Sequence, residues 1–322
     1  MRASIPACVA VAAALASAAR AAEYPARGVH IVVPIAAGAT NDIVARLLAT
    51  ELTDELKQTF IVENRPGGAQ ITGSDHVAKS EPDGHTLLLG NTSILAIHPS
   101  LFPKLPYDPQ KDFEPVSIVA VSPTVLVVNP AVAAKNVKEF TDYARANAGK
   151  VYYGSPGNGT PFHLAMELFK RQTGADLVHV PFKGAQPALT ALLANQVQAM
   201  FDNTPNVLPH INAGKLRALA ATSPKRLAVL PDVPTMAEAG FKGAESQSFF
   251  AIVAPKATPA AVVKKLNAAL VKRLQRPPVR ERLSALGAVP LGNSPEEAKA
   301  YIAREAARWA KVVRESGAKV DD

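Results

Sequence analysis

The sequence predicts an α/β fold in which strands and helices alternate along the chain. Three observations carry this expectation. Apolar runs of strand length recur, helical patterns lie between them, and turn residues separate the two. At 322 residues the chain is long enough for roughly two domains of ordinary size. Its 48% hydrophobic and 19% charged residues suit a packed globular core.

The N-terminus comes first because it fixes the compartment. Met1-Arg2 is a short positive start, and residues 5–19 (IPACVAVAAALASAA) are apolar and uncharged. That run is shorter than the roughly 20 residues that span a bilayer. It ends in Ala19-Arg20-Ala21, a small-x-small cleavage pattern, so residues 1–21 read as a signal peptide and the mature chain starts at Ala22. The expected location is the periplasm. Cys8 is the only cysteine and leaves with the signal, which excludes disulfides and thiolate metal sites. Without Arg2 and Arg20, 33 basic residues face 27 acidic ones, and the formal charge falls from +8 to +6. The basic residues are scattered rather than clustered, which argues against nucleic-acid binding.

Strands are expected over 29–35, 59–63, 86–90, 125–129, 151–155, 177–181, 216–222 and 249–254. In the first helix, Ile43, Leu47, Leu48 and Leu52 recur at helical spacing. Thr258-Pro259 and Ser294-Pro295 each place a capping residue before a proline, and Ser294 with Glu297 makes a capping box. The last helix aligns Ala298, Ile302, Ala306, Trp309 and Val313 on one apolar face. This alternation implies parallel strands joined by helices.

Two strand-to-helix turns hold the chemistry. The first is Ala36-Ala37-Gly38-Ala39-Thr40, whose small residues let a ligand approach the backbone and whose helix start offers free N–H groups to an anion. Asp42 would repel that anion, or else stabilises the helix start. The second is Gly157-Asn158-Gly159, with Thr160 as N-cap and Pro161 at the first helical position. Either turn alone also fits a plain tight connection. Two of them beyond strand carboxyl ends, where open α/β sheets bind ligands, favour a shared ligand. His163, in the first turn of the second helix, is a candidate ligand donor or a surface histidine. Asp202, in MFDN after a strand, is a candidate for a ligand amine or water, or a cap for the next turn.

Enzyme signatures are missing. No HExxH, GxSxG or GxxxxGK[ST] occurs, and Gly149-Lys150 and Gly214-Lys215 are followed by Val and Leu. Gly157-Asn158-Gly159 is half a dinucleotide fingerprint, but Phe162 takes the third glycine position and no acidic residue closes LVHVP. The seven histidines form no i,i+4 pair, so no metal is expected. No cofactor is expected either.

The chain resembles the substrate-binding proteins of tripartite tricarboxylate transporters, the Bordetella uptake gene (Bug) receptors. The matching segments are VENRPGG (62–68), EPDGHTLLLGN (81–91), LPYDPQKDFEPVS (105–117), GSPGNGTPFHLA (154–165), VHVPFKGAQPALTALL (178–193), FDN (201–203), GKLRALAATSPKR (214–226) and LPDVPTMAEAG (230–240). They cover nearly the whole mature chain in order. The resemblance implies a two-lobe periplasmic binding protein, a Venus flytrap with two interlobe crossings near 120–127 and 246–252. Lobe one would combine 22–123 with 250–322, and lobe two would hold 124–249, with the C-terminal helices on lobe one or partly on lobe two.

The resemblance also implies a carboxylate held by Ala36, Ala37, Gly38, Thr40, Thr92 and Ser93 from one lobe. Gly157, Asn158, Gly159, Thr160, His163 and Asp202 would complete the site from the other. It implies delivery to membrane permease subunits by a monomer. The first turn here, PIAAGATND, lacks the aromatic and the consecutive glycines of the family pattern. Phe249-Phe250 stands where a tryptophan-containing pair is usual, and both places are expected to line the pocket. The ligand stays open among di- and tricarboxylates, acidic amino acids and aromatic acids. A periplasmic sensor adaptor shares every one of these features, and an exported α/β enzyme is the third reading.

Overall fold

The computed structural model describes residues 24–241, 247–285 and 287–317. The expected signal peptide lies outside the described residues.

Strand β1 (Val29–Val33) forms because four β-branched residues, all buried, flank the half-buried His30 and favour extended backbone with both faces covered. It pairs in parallel with β2 (Phe60–Asn64) and β3 (Thr86–Asn91). Its alternate side chains feed two different cores. Val29, Ile31 and Val33 pack under α1 (Thr40–Leu56), while Val32 faces the other side with Leu88. Helix α2 (Ile71–Ala78) closes the connection from β2 to β3. After β3 come a π-helical turn (Ser93–Ile97) and the short α3 (His98–Leu101).

The organising element is β4 (Phe113–Val128), 16 residues long. From Phe113 to Pro123 it runs antiparallel to β9 (Gln247–Pro255), which in turn pairs with β3. From Thr124 to Val128 it pairs instead with β7 (Ala199–Asn203) and β8 (Arg217–Ala221). One strand therefore leaves the first sheet and enters the second between Pro123 and Thr124. Buried hydrogen bonds pin that point: Thr222 Oγ1 donates to Thr124 O (3.0 Å), and Thr204 Oγ1 donates to Pro123 O (2.8 Å).

The second sheet continues from β7 through β5 (Tyr152–Ser155) to β6 (Val178–Pro181). Between these strands lie α4 (Val137–Ala146), α5 (Pro161–Thr173), α6 (Ala185–Leu193) and α7 (Thr204–Asn212). Its two faces bury Phe140, Phe169 and Phe201 on one side and Leu189, Leu192 and Met200 on the other. Helices α8 (Ala260–Leu274) and α9 (Pro277–Ala285) and the two-residue strand β10 (Val289–Pro290) complete the first sheet's surroundings. Helix α10 (Pro295–Ser316) starts with the expected Ser294–Glu297 capping box. Its apolar face packs with the first sheet's second core, where Leu164 of α5 joins it, and Arg171 of α5 donates to Glu315 O. The last helix thus touches both halves.

The structure corrects four expectations. The sheets are mixed rather than parallel, because β4 and β9 run against their neighbours. Proline and serine break the apolar pattern over 113–124, which hid three-quarters of β4 from a hydropathy reading. Asp202 lies within β7, a strand the reading omitted, and not after a strand. Ile43 is exposed and Val44 takes the buried place beside Leu48 and Leu52; Thr258 bonds Pro255 O and leaves Pro259 at the helix's N-cap.

Candidate functional site

The first turn follows β1 and leads into α1. Ala36, Ala37 and Gly38 are exposed, and Thr40 is buried. The amides of Ala36 and Ala37 meet no acceptor among the described residues. Gly38 does, because its N–H donates to Asp42 Oδ2 at 2.9 Å. Asp42 also accepts from Arg46 Nε (2.9 Å) and Asn64 Nδ2 (3.0 Å). Burial raises its pKa, but those three hydrogen bonds outweigh burial and hold the carboxyl below its ordinary value. Asp42 thus stabilises the helix start, and its charge is spent on Arg46 instead of facing an incoming anion.

The second turn follows β5. Gly157 (φ 140°) and Gly159 (φ 70°) take backbone angles that disfavour other residues. Thr160 caps α5 as expected: its Oγ1 accepts from His163 N (3.4 Å) and donates to Gly157 O (2.9 Å). The hydroxyl is thereby committed to the turn. Gly159 N donates to His163 Nδ1 (3.1 Å), and Gly157 N donates to Ser155 Oγ (3.2 Å). Of these three turn amides only that of Asn158 meets no acceptor among the described residues.

Beneath this turn lies a stack that sequence reasoning missed. His163 and His179 lie ring on ring at 4.2 Å, and Tyr153 covers His179 at 4.7 Å. Ser155 Oγ lies 2.6 Å from His179 Nε2, and Tyr153 donates to Glu167, which pairs with Lys170. Burial lowers both histidines, His179 to about 4, with His163 beside it pulling the same way. Neutral His163 is required for its Nδ1 to accept from Gly159. His163 is therefore a buried prop of the turn and not a surface histidine. Only the β5–β6 register, Tyr153 opposite His179 and Ser155 opposite Pro181, brings these residues together, and no local motif encodes it.

A third strand-to-helix turn joins β7 to α7. Asp202 is fully buried there; its Oδ1 accepts from Asn203 N (2.7 Å) and Asn206 Nδ2 (3.0 Å). Asn206 in turn accepts from Thr40 Oγ1 at 3.1 Å, which links the first turn to the third across the two sheets. The i,i+4 pair Asp202 and Asn206 was the available signal for this turn. Gly159 also meets the first half: a Cβ there would lie 1.8 Å from Leu101 Cδ2.

Thr92 and Ser93 are buried at the end of β3, and Thr92 Oγ1 accepts from Phe249 N at 2.8 Å. Phe249 and Phe250 do not line an open pocket. They point to opposite faces of β9 and fill the two cores of the first sheet, Phe249 edge-on to Tyr301 at 5.3 Å.

This arrangement offers unpaired amides and buried polar side chains from both sheets, which suits gripping a small polar anion. The Ser155–His179 pair lacks the geometry of a hydrolytic site: Ser155 is fully buried and holds Gly157, and no carboxylate bonds His179 among the described residues.

Comparison with known proteins agrees. Residues 44–318 match the model of the tripartite tricarboxylate transporter family receptors. Protein BugT of Bordetella pertussis is 41% identical over 298 residues, covering 92% of this chain and 91% of BugT. The R. palustris Rpa4515 structure with adipate superposes with a TM-score of 0.88 at 36% identity, over 92% of this chain and 100% of that one. MatC (Rpa3494) from Rhodopseudomonas palustris with bound malate gives 0.83 at 36% identity, over 90% and 100%. The two-sheet α/β fold is that of periplasmic binding proteins, and the family's members are solute receptors rather than enzymes. On the match across most of its length, this chain belongs to the tripartite tricarboxylate transporter family of receptors.

Proposed function

We propose that this protein binds one small carboxylate between its two sheets and presents it to the permease subunits of a tripartite transporter. The observation that carries this reading is the Thr40–Asn206 hydrogen bond, which joins the amide-bearing turn of one sheet to the buried acid of the other. Adipate and malate in two related structures fit the same ligand class. The proposed contacts are the amides of Ala36, Ala37 and Asn158, with Thr40, Thr92, Ser93 and Asp202 around them. Gly38, Gly157, Gly159, Thr160 and His163 hold those contacts in place.

The switch of β4 from β9 to β7 and β8 supports a lobe boundary at 123/124, with 124–241 in the second lobe. Gln247, Ser248 and Phe249 pair with Pro123, Ser122 and Val121 of β4, so they join 250–317 in the first lobe and the expected 249/250 boundary moves ahead of Gln247. The protein acts as a monomer in the periplasm, after loss of residues 1–21. No described helix is long and apolar enough to cross a membrane. An intact mass that begins at Ala22 checks the processing. A thermal-shift screen over di- and tricarboxylates, acidic amino acids and aromatic acids checks the function, since a ligand of the folded state raises its apparent stability. A screen without any stabilising acid counts against the proposal.

A further inference from the structure

Asp202 stands apart among the described carboxylates near the junction of the two sheets. It is 0% exposed, and its two oxygens are not equivalent. Oδ1 accepts two hydrogen bonds, from Asn203 N and Asn206 Nδ2. Oδ2 is buried and has no partner among the described residues. An ionised carboxylate with a bare buried oxygen and no cation is costly. A carboxylic acid has no such charge to solvate, and its Oδ2–H then needs only an acceptor.

Among the described residues, no basic side chain bonds Asp202 to keep the acid ionised. The β4 residues opposite it, Thr124 to Val128, are all uncharged, and α6 carries no ionisable group. Helix α7 carries only His210, in its last turn, and β5 carries the exposed Tyr152 and the buried Tyr153. Helix α5 brings His163, Glu167, Lys170 and Arg171; Glu167 and Lys170 pair with each other, and Arg171 donates to Glu315 O. Helix α1 brings Asp42, paired with Arg46. Burial alone pushes Asp202 up to about 7, against the opposing pull of Asn206 and Asn203. Asn206 also ties Asp202 to Thr40, at the helix start whose neighbouring amides await an anion.

We infer that Asp202 serves as a neutral carboxylic acid whose Oδ2–H donates, directly or through one enclosed water, to the ligand's carboxylate. Binding is then linked to one proton. Raising the pH removes that proton and sets two anions against each other, so affinity falls. This inference rests on the carboxylate-receptor reading. It makes the receptor selective for ligands that present a bare carboxylate at the junction, over those that present an ammonium group there, which an ionised aspartate would prefer.

The test is calorimetry with adipate and malate between pH 6.5 and 9, where both acids are fully ionised, on the wild type, Asp202→Asn and Asp202→Ala. Wild-type affinity is expected to fall about tenfold per pH unit above the ionisation of Asp202, the slope of one linked proton. Asp202→Asn keeps an N–H donor in place of Oδ2–H. It should bind about three- to tenfold more weakly at pH 6.5, show a flat profile, and become the tighter binder by pH 9. Asp202→Ala should be weaker than Asp202→Asn throughout. A flat wild-type profile, or an Asp202→Asn curve below wild type at every pH, overturns the inference while the receptor reading stands. Binding of neither acid, with no other carboxylate binding in their place, overturns both.

Discussion

Thr40 Oγ1 donates to Asn206 Oδ1 across 3.1 Å, joining side chains 166 positions apart in the sequence. One begins the helix after the first strand of one sheet, and the other sits in the first turn of the helix after β7 in the other sheet. Each sheet thus contributes a strand-to-helix turn to one junction, and the polar chain runs on from Asn206 to Asp202.

Breaking that link should loosen the junction. Asn206→Ala leaves Thr40 without its acceptor and removes one of the two donors to Asp202 Oδ1. A hydrogen bond to a charged or buried polar group is worth about 1–3 kcal/mol, so carboxylate affinity should drop roughly tenfold. Small-angle scattering on ligand-saturated protein should show a larger radius of gyration for the variant. Equal affinity and equal compactness would mean that the contact is incidental.

Gly159 is where the turn of the second sheet comes closest to the first. Gly159→Ala adds a Cβ only 1.8 Å from Leu101 Cδ2, at a φ of 70° that alanine disfavours. The backbone cost alone is of order 1 kcal/mol. The contact with Leu101 should in addition hinder approach of the two sheets and weaken ligand binding. Leu101→Ala in the same chain should restore part of the binding but none of the backbone cost, which a melt combined with calorimetry separates. Restoration of both would place the whole effect in the Leu101 contact.

Much of this fold could be read from sequence, and the exceptions have physical causes. Ser294 with Glu297, and Thr160 with Pro161, encode their caps within four residues, so local reading found them. The same reading placed Ala36, Ala37 and Asn158 in turns with open amides. It failed wherever a long-range register decides. The Gly38 amide is taken by Asp42, the Gly159 amide by His163, and the stacking of His163 on His179 depends on which strand neighbours β5. Phe249 and Phe250 are buried because β9 lies between β3 and β4 with both faces covered, and their own sequence does not reveal that.

The stacked histidines give stability a pH dependence of definite sign. Both pKa values are lowered in the folded protein, so the unfolded chain takes up protons first as the pH falls below about 6.5. Their contribution is intact above that pH and is lost progressively toward the folded value of His179, about 4. Asp202, with its raised pKa, acts in the opposite direction over part of this window. Comparing His179→Gln with wild type isolates the histidine. The stability gap between them should narrow as the pH drops from about 6.5 to 4.5, and a constant gap would contradict the account.

The most direct test of an anion grip from both sheets compares a dicarboxylate ligand with its amide by titration calorimetry on the unaltered protein. An amide keeps the shape and loses the charge that the open amides of Ala36, Ala37 and Asn158 would bind. Hydrogen bonds to a charged group are worth about 1.5–3 kcal/mol each, so the amide should bind about tenfold to a hundredfold more weakly. An amide that binds as tightly as the acid would contradict the account.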